Sequence, residues 1–228
     1  MPYLALDTSA GLAVAIVGDD GAALARSGDP EPRRHAEQLT PHVAGVLADA
    51  GLTARDLTGI VVGTGPAPFT GLRAGLVTAR TLGYALDIPV LGVPSLAAVA
   101  TRALDLVGSD DAQHVVVVTD ARRREVYWAR YARDADLGVR AVDGPGVCAP
   151  GEVPTTGATL AGRAAHLVAG DPLDPEVASE LANLDPDPVA LVAVALALRS
   201  HGEPTPTEPL YLRRPDAVPS TGTKRVLA

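Results

Sequence analysis

The chain has 228 residues, 47% of them hydrophobic but only 3% aromatic, enough apolar material for one compact α/β unit or two half-sized lobes. A formal net charge of −8 disfavours gripping a nucleic acid outside a local basic patch, and the single cysteine, Cys148, excludes an internal disulfide or a multi-cysteine metal cluster. No apolar run reaches the roughly eighteen residues of a membrane span, and Met1 to Val17 alternates instead of forming a secretion signal, which points to a cytoplasmic protein.

In chain order, YLALDTSAGLAVAIVGDDGAALARS reads as two short strands around a Thr-Ser-Ala-Gly turn, then a hairpin at Asp19, Asp20 and Gly21 into a third strand. From Ala36 to Ala50, apolar Leu39, Val43, Val46 and Leu47 fall at helical spacing, closed by Gly51. GIVVGTGP is a buried strand, Thr70 is a candidate cap for a helix from Gly71 to about Leu86, and IPVLGVPS is the next strand. Ser95 is a candidate cap for a further helix through about Leu106. The pattern then restarts: HVVVVTDARRREVYWARYAR echoes the opening strand, turn and strand. That repetition is the layout of an α/β actin-like and sugar-kinase-like fold with two duplicated lobes, 1–108 and 109–228. Helices are expected within APGEVPTTGATLAGRAAHLVAG and DPDPVALVAVALALRS, and the proline-rich tail is expected to be extended and to fold back over a lobe.

In such a fold an acid at the end of the first strand holds Mg²⁺ through water while small hydroxyl residues reach the phosphates, and Asp7, Thr8 and Ser9 stand in that place. Taken alone, so short a motif is better read as a hairpin turn in which Asp7 accepts backbone hydrogen bonds. The matching turn of the second lobe, Asp120-Ala121-Arg122, lacks the glycine that lets a backbone approach phosphate, and Arg122, Arg123 and Arg124 also suit a solvated face. GTGPAPFTGLRAGL is neither a P-loop nor a dinucleotide loop, and Pro66 and Pro68 remove backbone donors from it. Gly71, Gly75, Ala79 and Gly83, four apart, make a smooth helical stripe that suits either the chain's own sheet or another chain. His35 and His42 lack the spacing of a helical metal pair, and no nucleophile motif is present.

LALDTS, PRRHAEQLTPHV, GTGPAPFTGLRAGL, GVPSL, DARRREVYWARY and EPLYLR, in that order from Leu4 to Arg213, resemble the TsaB (YeaZ-type) family; Val139 to Leu198 carries little of the likeness. Ala67-Pro68 stands where the family usually reads Gly-Ser, a stiffer loop. The resemblance implies a non-catalytic subunit without the metal-binding histidine pair of its TsaD-type catalytic partner, which forms N6-threonylcarbamoyladenosine in tRNA. It implies docking through the first two helices, with His35, Leu39, Val43, Val46, Leu72, Arg73, Gly75, Ala79 and Gly83 at the interface. Arg73 stands in the first turn of its helix, where the dipole disfavours a cation, and this points to a partner carboxylate holding it. The resemblance further implies a TsaE-type ATPase in the same complex, a homodimer when alone and only indirect contact with tRNA. No cofactor is then required by this chain, with ATP or ADP and Mg²⁺ confined to a shared interface. An ATP-dependent small-molecule kinase of the same superfamily, with Asp7 on Mg²⁺ and Asp120 near the transferred group, is the alternative.

Overall fold

The computed structural model describes residues 1–29, 35–111, 114–170 and 175–213. Two sheets carry the architecture. The first holds β1 (Tyr3–Asp7), β2 (Leu12–Val17), β3 (Ala23–Asp29), β4 (Gly59–Gly63) and β5 (Val90–Val93), in the order β3-β2-β1-β4-β5. Its first three strands are antiparallel, and β1, β4 and β5 run parallel. The second holds β6 (His114–Asp120), β7 (Val126–Asp134), β8 (Gly138–Cys148) and β9 (Thr159–Ala161), in the order β8-β7-β6-β9. Here too an antiparallel meander is extended by a parallel strand, β9 beside β6. The repeated order and direction make this the duplicated actin-like and sugar-kinase-like fold expected from the sequence.

Strand periodicity sorts the core into layers. Leu4, Leu6, Leu12, Val14, Ile16, Ile60 and Val62 face one side of the first sheet, against α1 (His35–Asp49) and α2 (Phe69–Leu86). Ala5, Ala15, Val17 and Val61 face the other side, against α3 (Ser95–Asp111) and α5 (Pro188–Ser200), which in turn meet Val115, Val117, Ala129 and Tyr131 of the second sheet. The remaining helix, α4 (Pro175–Ala182), contributes buried Leu181 to that central layer. Asp187 caps α5 by accepting the Val189 and Ala190 amides, at 2.7 and 3.3 Å. Gly108 interrupts α3 with φ 73° and ψ 179°.

Three local expectations change. The helix α2 begins at Phe69 behind Pro68, so Thr70 lies inside it rather than capping it; proline presets the entry dihedral and its missing N–H is not needed there. Ser95 is the first residue of α3, and its hydroxyl is spent on another element. Residues 149–170 form β9 and two single 3₁₀ turns, Pro150–Glu152 and Ala165–Leu167, instead of a helix, as their density of proline and glycine favours. Among the described residues, no helix is long and apolar enough to cross a membrane.

Candidate functional site

Asp7 ends β1 directly beside the end of β4 and the start of α3, and is 2% exposed. Its Oδ1 accepts from the Ser9 amide at 2.7 Å and from the Ser9 hydroxyl at 2.6 Å, and its Oδ2 accepts from the Ser95 hydroxyl at 2.5 Å. Ser95 Oγ in turn accepts from the Gly65 amide at 3.1 Å, while the Ser95 amide donates to Gly65 O at 2.8 Å. A Cβ at position 63 would stand 1.8 Å from Asp7 Oδ2, so only glycine leaves room for the carboxylate. Burial pushes the Asp7 carboxyl above its ordinary range, while the bonds from Ser9 and Ser95 pull the other way and the nearby Asp185 adds to the rise. Thr8, also buried, donates its hydroxyl to Gly71 O at 2.9 Å on α2.

The triad Asp7, Thr8 and Ser9 is therefore turned inward. Both carboxylate oxygens and both hydroxyl protons have partners within the chain, and the cleft of about 200 Å³ beside them is lined by Asp7, Asp29 and Asp185. A phosphate would meet carboxylates there, and Asp7 already accepts three hydrogen bonds from within the chain, two on Oδ1 and one on Oδ2. The chain's own hydrogen bonds therefore occupy most of what these residues would offer a nucleotide and its metal. Among the described residues, no three of His, Cys, Asp and Glu stand together as a metal site, and His42 Nδ1 lies 2.7 Å from Ser27 Oγ.

The second-lobe turn reaches an unexpected shape. Arg122, Arg123 and Arg124 all adopt left-handed backbone, with φ of 65°, 55° and 64°. That conformation is unfavourable by about 1–2 kcal/mol per non-glycine residue. The turn is closed by Ala121 N–H to Glu125 O and Glu125 N–H to Arg122 O, both 3.0 Å, and the Arg122 amide donates to Asp120 Oδ1 at 2.7 Å. The left-handed shape is thus present without the glycine that usually supplies it.

The helical layer corrects the residue assignments for a docking face. Leu39, Val43, Val46, Leu72 and Ala79 are buried among the side chains of the chain's own first sheet. A Cβ at Gly75 would stand 2.4 Å from Thr8 Oγ1, and one at Gly83 2.2 Å from Val90 Cγ2. The smooth stripe exists so that α2 can lie close on its own sheet, and these residues cannot present side chains to a partner. Only the backbone of His35, the first residue of α1, is among the described features. Arg73 does face outward, and its Nε donates to Tyr211 Oη at 2.7 Å. On that outward side α2 shows Val77, 62% exposed, and Tyr84, 91% exposed, and the neighbouring helix α1 exposes Pro41, Ala44 and Ala48. The outward residues lie half a turn from the glycine stripe, and the seating of that stripe on the sheet is what marks them as outward.

A family profile for tRNA N6-adenosine threonylcarbamoyltransferase (TsaD) matches residues 30–159, more than half of the chain. An uncharacterized protein of Mycobacterium tuberculosis strain H37Rv is 47% identical over 192 residues, 83% of this chain and 80% of that protein. The tRNA threonylcarbamoyladenosine biosynthesis protein TsaB of Escherichia coli is 34% identical over 134 residues, 59% of this chain and 56% of that protein. A crystal structure of a Pseudomonas aeruginosa protein, described as similar to the peptidase YeaZ, superposes with a TM-score of 0.76 at 31% identity, covering 93% of this chain and 99% of that one. Fold, profile and relatives agree: the chain belongs to the tRNA N6-adenosine threonylcarbamoyltransferase family and is a TsaB/YeaZ-type member of it.

Proposed function

We propose that this chain is a non-catalytic subunit in the synthesis of N6-threonylcarbamoyladenosine in tRNA, docking on a TsaD-type catalytic subunit through the outward face of α1 and α2. The observation that carries the reading is the pairing of Val77 and Tyr84, exposed on α2, with an aspartate site that is closed from within. Two large apolar side chains on one helix face, rimmed by Arg73 and Arg80, suit the apolar centre of an interaction surface. The partner performs the transfer; this chain's role is to complete its fold or its orientation. A TsaE-type ATPase joins the same assembly, and two copies of this chain pair through the same face when the partner is absent. Any nucleotide in the assembly lies at a shared interface and not on Asp7.

Mass spectrometry of tRNA nucleosides from cells depleted of the protein tests this. The threonylcarbamoyladenosine peak is expected to fall, and to return with the wild-type gene and with Asp7→Asn but not with a Val77→Asp/Tyr84→Glu variant expressed at equal soluble level. An unchanged peak on depletion would overturn the pathway, and loss of rescue by soluble Asp7→Asn would overturn the non-catalytic role.

A further inference from the structure

Residues 203–213 have no regular secondary structure, yet they are fastened along their length. Glu203 N–H donates to Leu198 O at 2.9 Å, Gly92 N–H on the edge strand β5 donates to Thr205 O at 3.0 Å, and Leu210 N–H donates to Thr64 O at 2.9 Å. The fit over β5 is close: a Cβ at position 92 would stand 2.0 Å from Pro206 O. From α2, Arg80 donates through Nε to Thr207 Oγ1 at 3.0 Å and through Nη2 to Thr207 O at 2.6 Å, with the Glu208 carboxylate 3.8 Å away. Two turns earlier on the same helix, Arg73 donates to Tyr211 Oη and lies 5.4 Å over its ring. The segment ends on the second lobe, where Arg213 pairs with Glu125 and donates to Arg122 O at 3.4 Å.

Arg73 and Arg80 flank Val77 on the helix surface, four residues before it and three after it. Left alone, two long arginine side chains on an exposed face would sample many rotamers, and a partner would have to order them on binding. We infer that residues 203–213 are a strap that forms the polar rim of the α2 docking surface, holding Arg73 and Arg80 in place beside the apolar centre at Val77 and Tyr84. This inference rests on the docking role proposed above. The occupant is the same TsaD-type subunit, and the strap acts through the two arginines as a positioning element. An apolar centre within a polar, hydrogen-bonded rim is the usual anatomy of a protein interface.

The test is a binding titration of the full chain against the TsaD-type subunit of the same organism, with Tyr211→Phe, Arg73→Gln and the double variant. Tyr211→Phe keeps the ring and removes only the acceptor held by Arg73. It is expected to weaken binding about threefold to tenfold, the scale of one hydrogen bond. In the Arg73→Gln background, the same change is expected to add nothing, because the strap acts through that arginine. Hydrogen–deuterium exchange on the free chain is expected to show residues 203–213 protected, and more exposed in Arg80→Gln. Unchanged affinity in Tyr211→Phe, additive losses in the double variant, or an unprotected strap would each overturn the inference while leaving docking intact. Absence of binding by the wild-type chain would instead contradict the docking role, and the rim with it.

Discussion

Replacing Gly75 by alanine sets two helix effects against each other, and the structure decides the sign. In a helix interior glycine is less favourable than alanine by about 1 kcal/mol, so the change alone would stabilise. At position 75 the new methyl would stand 2.4 Å from Thr8 Oγ1 and 3.3 Å from both Leu6 Cδ1 and Thr8 Cγ2. Thr8 is buried and its hydroxyl is committed to Gly71 O, so it cannot swing into solvent. Overpacking of this kind is destabilising by about 1–3 kcal/mol, and a broken internal hydrogen bond adds about 1 kcal/mol. The net expectation for Gly75→Ala is a loss of about 1–3 kcal/mol, or a fall in melting temperature of roughly 2–12 °C for a chain of this size. Gly45 in the middle of α1 is the control, because a Cβ there meets nothing within 4 Å. Gly45→Ala is expected to stabilise by about 0.5–1 kcal/mol. Urea denaturation of both variants, and of Gly75→Ala in a Thr8→Ala background where the clash is gone, measures the coupling. Stabilisation by Gly75→Ala in the wild-type background would refute the close seating of α2 on β1.

Three further outcomes follow from the closed aspartate site and the exposed helix face. Burial raises the Asp7 carboxyl pKa in the folded chain, so folding favours its protonated form; the contribution is greatest below the ordinary pKa of 3.8 and is lost as pH rises through the raised value. Asp7→Asn, which stays neutral, is therefore expected to gain stability relative to wild type as pH rises from about 4 to about 7, and a difference that shrinks with rising pH in urea titrations would contradict the assignment. Ser95→Ala removes the donor to Asp7 and the acceptor of the Gly65 amide at once, and is expected to reduce stability by about 1–3 kcal/mol in the same assay. Thermal stability within about 0.5 kcal/mol of wild type is expected for Val77→Asp, since that side chain is 62% exposed among the described residues, and a large loss would show that the α2 face is already occupied.

Much of the architecture was legible because it depends on local alternation. Leu4, Leu6, Val14 and Ile16 against Ala5 and Ala15 announce two-sided burial, and the restart at His114 announces the second lobe. The direction in which α2 turns its small residues was not legible, since Gly75, Ala79 and Gly83 suit any close neighbour; only Thr8 and Val90, distant in sequence, decide it. The same holds for Ser95, read as a helix cap by its position but drawn to Asp7, 88 residues away, by a tertiary contact. Arg122 to Arg124 defeat propensity outright, because the β6–β7 turn imposes a left-handed path that the residues themselves disfavour. The strap was anticipated as an extended tail folded back over a lobe, but not its partners: its pairing with Gly92, Thr64, Arg73 and Arg80 links segments that carry no local signal of one another.

The central claim is that the outward face of α1 and α2 binds a TsaD-type subunit, and its most direct test is the mass of the mixture of the two purified proteins by light scattering on gel filtration. A defined complex is expected for the wild-type chain and for Asp7→Asn, and separate peaks for Val77→Asp/Tyr84→Glu that is folded by circular dichroism. A complex that forms undiminished with that folded double variant would contradict it.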